Sequence, residues 1–217
     1  MRYFDKKPLI YLITKGELTV EDFRVKSAET LTIIEKAVAS EVSLIQIREK
    51  SITAGQVFEL ASKAAELTKS SDTKLLVNDR ADIALAAGAD GVHLPASSLS
   101  AEIVRRSFGE DFVIGVSAHS LDEVARANLA KADFATFGPV FATLSKARYG
   151  APQGIAKLRE AAETFPEFKV IALGGIDENN FAEALTAGAS GIAAIRFLND
   201  AENLPQIAKK IFTFRNN

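Results

Sequence analysis

Gln46-Ile47-Arg48-Glu49-Lys50 carries an amide, a guanidinium and an ammonium at alternate positions, so an extended backbone would turn all three to one side. A bidentate guanidinium beside a point cation grips a diphosphate well. Without a ligand, the same residues describe an ion-pair network with neighbouring acids. Asn78-Asp79-Arg80 ends a second apolar run, Leu75-Leu76-Val77. There Asp79 could hold a hard cation such as Mg²⁺ through oxygen, and Asn78 could donate to a phosphate beside it. The plainer reading makes Asp79 a cap of the helix that begins at once.

Gly115-Val116-Ser117-Ala118-His119 lacks the second glycine of a nucleophile elbow, and His93 and His119 are the only histidines. A hydrolytic triad therefore has few bases to draw on, and Ser117 reads better as a hydroxyl donor to phosphate. His119 is expected to order the following turn. His93 either reaches the site or is a satisfied core histidine. Thr143, Ser145 and Lys146 belong to a long loop that runs on to Pro152, a length typical of functional loops. Gly174-Gly175, with Asp177 expected to open a helix just after, would present bare amides to an anion; a glycine turn without a ligand is the alternative. Asp82 and Asp90 are expected to be solvated.

These groups all stand at the ends of short apolar runs, and that shared placement predicts what holds them. Strands are expected to begin near Leu9, Leu44, Leu75, Gly91, Val113, Phe134, Val170 and Gly191. Amphipathic stretches lie between them, including 54–69, 120–131, 154–164 and 179–187. Ser120 and Asp177 are placed to cap helices, and Gly88 and Gly188 to end them. Ala87-Gly88-Ala89-Asp90-Gly91-Val92 is echoed by Ala187-Gly188-Ala189-Ser190-Gly191-Ile192, with a looser copy at Lys131-Ala132-Asp133-Phe134. An open doubly wound sheet would want a glycine-rich turn after its first strand, where Thr14-Lys15-Gly16 is too poor in glycine. The expectation is a single α/β domain over 1–217, a (β/α)8 TIM barrel with its site at the C-terminal ends of the strands.

Composition agrees. The chain has 217 residues, 47% of them apolar, enough for a full core. A net charge of −2 gives no basic field for nucleic acid, so anion recognition must be local. The absence of cysteine excludes disulfides, thiolate catalysis and thiolate metal sites. Leu9–Ile13 is too short to be a signal core or a membrane span. A soluble, cytoplasmic protein is expected, and a homo-oligomer is compatible with these facts.

Six segments in register give a more specific reading. They are Gln-x-Arg-x-Lys at 46–50, Asn-Asp-Arg at 78–80, Gly-Val-His-Leu at 91–94 and Gly-Val-Ser-Ala-His at 115–119. Phe-Gly-Pro-Val-Phe-x-Thr-x-Ser-Lys at 137–146 and Ala-Leu-Gly-Gly-Ile at 172–176 complete the set. Together they resemble the thiamine-phosphate synthase and thiazole tautomerase superfamily over nearly the whole chain. For a synthase, the resemblance implies Gln46, Arg48, Lys50, Asn78, Ser117 and Lys146 around the diphosphate of hydroxymethylpyrimidine diphosphate. It implies Asp79 on Mg²⁺, and Thr143, Ser145 and the amides of Gly174 and Gly175 on the thiazole phosphate. Loss of pyrophosphate would leave a delocalised carbocation for the thiazole nitrogen to capture.

The chain departs from the family pattern in places. Ser98, in Pro95-Ala96-Ser97-Ser98, replaces the second acid expected on the metal, as in the tautomerase branch. Arg196 stands where the phosphate loop after strand eight usually has Ser, and could add charge to that pocket or fill it. Pro139 occupies the position of the tautomerase histidine, while Asp79 keeps the synthase acid. The expectation is a thiamine-phosphate synthase; a tautomerase-like enzyme, a non-catalytic paralogue binding thiamine precursors, and a barrel acting on another phosphorylated substrate stay open.

Overall fold

Eight apolar runs become eight strands among the described residues, 8–143 and 151–214 of a computed structural model. They are β1 (Leu9–Ile13), β2 (Leu44–Ile47), β3 (Lys74–Asn78), β4 (Gly91–Leu94), β5 (Val113–Ala118), β6 (Phe134–Phe137), β7 (Lys169–Leu173) and β8 (Gly191–Ala194). All pair in parallel with their chain neighbours, and β8 closes on β1. After each comes a helix: α1 (Phe23–Ala39), α2 (Ala54–Thr68), α3 (Ala81–Ala86), α4 (Ala101–Phe108), α5 (Leu121–Leu129), α6 (Gly154–Thr164), α7 (Phe181–Thr186) and α8 (Leu204–Phe212). This is the expected (β/α)8 barrel, with every strand starting within one residue of expectation. No helix among the described residues is long and apolar enough to cross a membrane.

Strand alternation divides the core in two. Leu9, Tyr11, Ile13, Leu44, Leu76, Val113, Phe134 and Ile171 fill the barrel interior. Their neighbours, such as Ile10, Leu12, Ile45, Leu75 and Val77, pack outward against the helices. Polar residues that extend the inward series must therefore face the barrel axis: Gln46 after Leu44, Asn78 after Leu76, Thr136 after Phe134, Ser117 two steps past Gly115.

The sequence echo is a shared way of ending a helix. Gly88 (φ 75°) donates to the Leu85 carbonyl and Ala89 to that of Ala84; Gly188 (φ 95°) and Ala189 repeat this with Leu185 and Ala184. Lys131 (φ 58°) and Glu41 (φ 56°) close α5 and α1 in the same way without glycine. The next turn fastens the barrel base. Ser43 Oγ accepts from the Ile10 amide, Asp90 Oδ2 from Leu75 and Asp133 Oδ2 from Ile114, each holding the start of the preceding strand. Asp90 is thus not a solvated residue, since its other oxygen also pairs with Lys74 at 2.9 Å. The expectation failed because an acid in a turn looks solvent-facing until the neighbouring strand brings an unpaired amide to it.

Arg105 anchors that base. Its buried guanidinium donates to the carbonyls of Gly109, Glu110, Phe112 and Lys131 and to Asp133 at 2.8 Å. Burial pushes the Asp133 carboxyl above its usual range, against the pull of the Ile114 amide and Arg105.

Candidate active site

A cavity of about 1020 Å³ opens at the C-terminal ends of the strands. Its rim carries Lys15, Arg48, Lys50 and Arg196 with one acid, Glu17. Its walls are apolar where Ile13, Leu173, Ala193 and Ile195 face inward. Deeper, Gln46, His93, Ser117 and Thr136 give the floor a polar edge. An apolar slot with a polar floor and a cationic rim suits a flat heteroaromatic ring bearing anionic groups.

Arg48 lies two residues beyond Gln46, on the same face, and its backbone amide donates to Thr14 Oγ1 at 2.9 Å. Glu49 turns the other way and is buried, accepting from the Gly16 amide at 3.1 Å and the Leu18 amide at 3.0 Å. That carboxylate straps the β1–α1 loop onto the end of β2 and so brings Lys15 and Glu17 to the rim. The cation face and the acid face separate as alternation requires. Arg48, Lys50, Asn78 and Ser117 share one cavity. Gln46 sits lower than its two cationic neighbours, buried with its Nε2 donating to Tyr11 Oη at 2.6 Å.

His93 meets both readings offered by the sequence. It is buried with both ring nitrogens bonded, Nδ1 to Tyr11 Oη at 3.2 Å and Nε2 to Ser117 Oγ at 3.0 Å, yet it also lines the cavity. Gly115 makes the space. A Cβ there would lie 2.3 Å from the Phe134 ring and 2.8 Å from His93 Nδ1. Tyr11 packs edge-on to Phe134 with centroids 5.4 Å apart. Burial, with a smaller push from Arg48, lowers the His93 pKa to about 3, and burial raises that of the Tyr11 phenol well above its usual value. Both groups are neutral near pH 7.

A stability prediction follows. The His93 pKa falls from 6.5 to about 3 on folding, so below 6.5 the unfolded chain binds a proton that the folded chain does not. The resulting stability is present above pH 6.5 and is lost as pH falls toward 3. Urea unfolding at pH 7 and pH 5 should show wild type losing ~2 kcal/mol more than His93→Gln. Parallel pH profiles for the two proteins would contradict this.

Asp79 follows Asn78 but does not line the cavity; it is exposed, with a left-handed backbone (φ 63°) and its amide bonded to the His93 carbonyl at 2.9 Å. Arg80, not Asp79, occupies the N-cap of α3, and its guanidinium binds Asp82. The described residues contain no cluster of three His, Cys, Asp or Glu that could cage a metal. Ser98 lies in a turn after β4, its amide bonded to the Pro95 carbonyl. A single carboxylate fits a hydrated cation that arrives with a phosphorylated ligand and does not fit a resident metal.

Across the barrel from Arg48 and Lys50, Thr143, Gly174 and Gly175 line the cavity; Ser145 and Lys146 lie outside the described residues. Gly174 (φ 98°) is required by close approach, because a Cβ there would meet Pro139 at 2.6 Å. Asp177 does not open a helix. The helix α7 starts at Phe181, and Asp177 Oδ1 instead accepts from the Asn179 amide. Asn180 bonds both the Asp177 amide and the Gly175 carbonyl. Three bonds from the Asp177 and Asn180 side chains to nearby backbone hold a turn in place of the first helical turn. What faces the cavity there is the backbone of Gly174 and Gly175, with Leu173 and Ile176 on either side. His119 does order its surroundings, with Nδ1 on the Gly138 carbonyl and its amide on Glu123.

Tyr11, Lys15, Glu17, Thr136 and Asn199 had no signal of their own in the sequence. Tyr11 and Thr136 are hidden inside apolar strands and read as core. Asn199 Nδ2 ties the Ile13 and Ile195 carbonyls together at 2.7 Å each, closing the β1–β8 seam at the mouth. Thr136 Oγ1 is buried with no hydrogen-bond partner among the described residues.

The model of the thiamine monophosphate synthase family matches residues 10–198, the span from β1 to just past β8. The chain belongs to the thiamine monophosphate synthase family. Among its relatives, the thiamine-phosphate synthase of Chloroflexus aurantiacus is 36% identical over 93% of this chain and 90% of its own. That of Moorella thermoacetica is 36% identical over 84% of this chain and 86% of its own. A solved thiamine phosphate pyrophosphorylase from Pyrococcus furiosus superposes with a TM-score of 0.76 at 28% identity, covering 95% of this chain and 98% of that one. The family's segments, read in order along the chain, converge on one cavity: Gln46, Arg48, Lys50, Asn78, His93, Ser117, Thr143 and Gly174-Gly175 all border it.

Proposed function

We propose that this protein is a thiamine-phosphate synthase, joining hydroxymethylpyrimidine diphosphate to thiazole phosphate with release of pyrophosphate. The observation that carries the reading is the slot itself, an apolar-walled site with Arg48 and Lys50 on one side and glycine backbone with Arg196 on the other. Two anions can be held apart there with a ring between them. Arg48, Lys50, Asn78 and Ser117 hold the diphosphate; the sequence motif adds Lys146, which lies outside the described residues. Thr143, Ser145 and the glycines hold the thiazole phosphate, with Arg196 adding charge to that side. Gln46 meets the polar edge of the pyrimidine, and the His93 ring, its nitrogens engaged by Tyr11 and Ser117, lies against it.

The chemistry asks for charge stabilisation and dryness more than for proton transfer. The bond between the pyrimidine methylene and the diphosphate oxygen breaks, and its electron pair leaves with the oxygen. The cation left behind is spread over the electron-rich ring, and the thiazole nitrogen supplies the pair for the new C–N bond. Cations on the leaving group lower the barrier to the first step. Apolar walls keep water from competing in the second, and the two anion sites hold the reactants in line. Tyr11 and His93, both neutral, are suited to orientation and not to acid–base exchange.

Mg²⁺ bound with the diphosphate would spread its negative charge, and Asp79 is the residue to hold it. Ligand-free protein should therefore show no Mg²⁺ binding in calorimetry, and addition of inorganic pyrophosphate should create it. Ser98→Asp, which supplies a second carboxylate, should tighten that binding about tenfold. Unchanged affinity in Ser98→Asp would remove Ser98 from the metal's surroundings. The two-anion arrangement has its own test. Thiazole phosphate should bind the Mg²⁺–pyrophosphate complex at one equivalent, and competition between the two would reject it. The setting implied is cytoplasmic, with small phosphorylated substrates and no nucleic acid or membrane; a homo-oligomer is compatible with it.

A further inference from the structure

We infer that Tyr11 is a positioning residue for the reaction: through His93 it fixes Ser117 as a hydrogen-bond donor to the diphosphate. This rests on the diphosphate reading of the rim. Four side chains from four strands form one chain of hydrogen bonds across the barrel, Gln46 to Tyr11 at 2.6 Å, Tyr11 to His93 at 3.2 Å and His93 to Ser117 at 3.0 Å. Each proton in it has one place. Gln46 Nε2 can only donate, so the Tyr11 oxygen accepts there, and its own buried proton finds its acceptor in His93 Nδ1, the other partner of that oxygen. An imidazole that accepts at Nδ1 and is neutral carries its proton on Nε2. That Nε2–H donates to Ser117 Oγ. The Ser117 oxygen is then engaged as an acceptor, and its hydroxyl proton is left for the cavity it borders.

Were the chain reversed, Ser117 would give its proton to His93 and meet an anion with lone pairs. Tyr11 is fully buried and does not border the cavity, so it acts only through His93. The packing supports a fixed ring, since Phe134 lies against both Tyr11 and His93, and the missing Cβ of Gly115 leaves the space that His93 occupies. Neutrality of both titratable members agrees with the geometry.

The tautomer can be read directly. In a long-range ¹H–¹⁵N correlation spectrum of the ligand-free protein at pH 7, whose only histidines are His93 and His119, His93 should show a protonated Nε2 and a bare Nδ1. A protonated Nδ1 overturns the inference. Turnover is not needed for this reading, so its failure and a failure of the synthase reading are separate results. Tyr11→Phe keeps the ring and removes the oxygen. It should lower kcat about tenfold and weaken Mg²⁺–pyrophosphate binding by a similar factor, with KM for thiazole phosphate unchanged. In a Ser117→Ala background the same substitution should add nothing further. Fully additive losses would overturn the inference, because Tyr11 would then act independently of Ser117.

Discussion

Arg48→Ala should lower kcat/KM for the pyrimidine diphosphate by about 10²–10³-fold, with the loss chiefly in kcat. Diphosphate gains negative charge as the C–O bond breaks, so a guanidinium on the rim interacts more strongly with the transition state than with bound substrate. Arg48 is also the cation that alternation and the Thr14 bond fix most firmly, since its backbone amide is pinned at 2.9 Å and its neighbour Glu49 is locked into the β1–α1 loop. Arg48→Lys should recover only part of the loss, because an ammonium cannot give the two parallel bonds of a guanidinium. Steady-state kinetics with both substrates checks this. A variant with wild-type turnover would take Arg48 out of the leaving-group site.

Arg105→Ala should destabilise the fold by about 3–5 kcal/mol, the cost of leaving Asp133 and several carbonyls unpaired in the interior. Arg105 lies at the far end of the barrel from the site, with five oxygen partners on α4's end, the α5–β6 turn and the entry to β5. Urea unfolding at pH 7 should show the midpoint falling, while the protein that stays folded at 10 °C keeps its kcat. Loss of less than about 1 kcal/mol would mean water replaces the guanidinium readily.

The sequence disclosed the barrel well because its signals are local. Each strand is an apolar run, and the helix ends before β2, β4, β6 and β8 share a turn whose backbone bonds reach no further than a few residues. The same held for Gln46, Arg48 and Lys50, where period-two alternation alone separates the cations from Glu49. It failed where partners come from distant strands. Asp90 reads as a solvated acid until β3 is beside it, and Tyr11 reads as one more core residue of Leu9–Ile13. Tyr11 and His93 are 82 residues apart in sequence and meet only when the barrel closes. Asp177 failed for a different reason. The Asp-x-Asn-Asn stretch has good capping residues, but they spend their bonds on a turn that braces Gly175 and start α7 later.

The central claim is that one protein, with no other enzyme present, makes thiamine phosphate from both precursors. Purified protein incubated with hydroxymethylpyrimidine diphosphate, thiazole phosphate and Mg²⁺ should release pyrophosphate and thiamine phosphate in equal amounts. Omitting the thiazole phosphate should abolish thiamine phosphate formation. Absence of thiamine phosphate when both substrates demonstrably bind would contradict the account and leave a barrel that holds thiamine precursors without joining them.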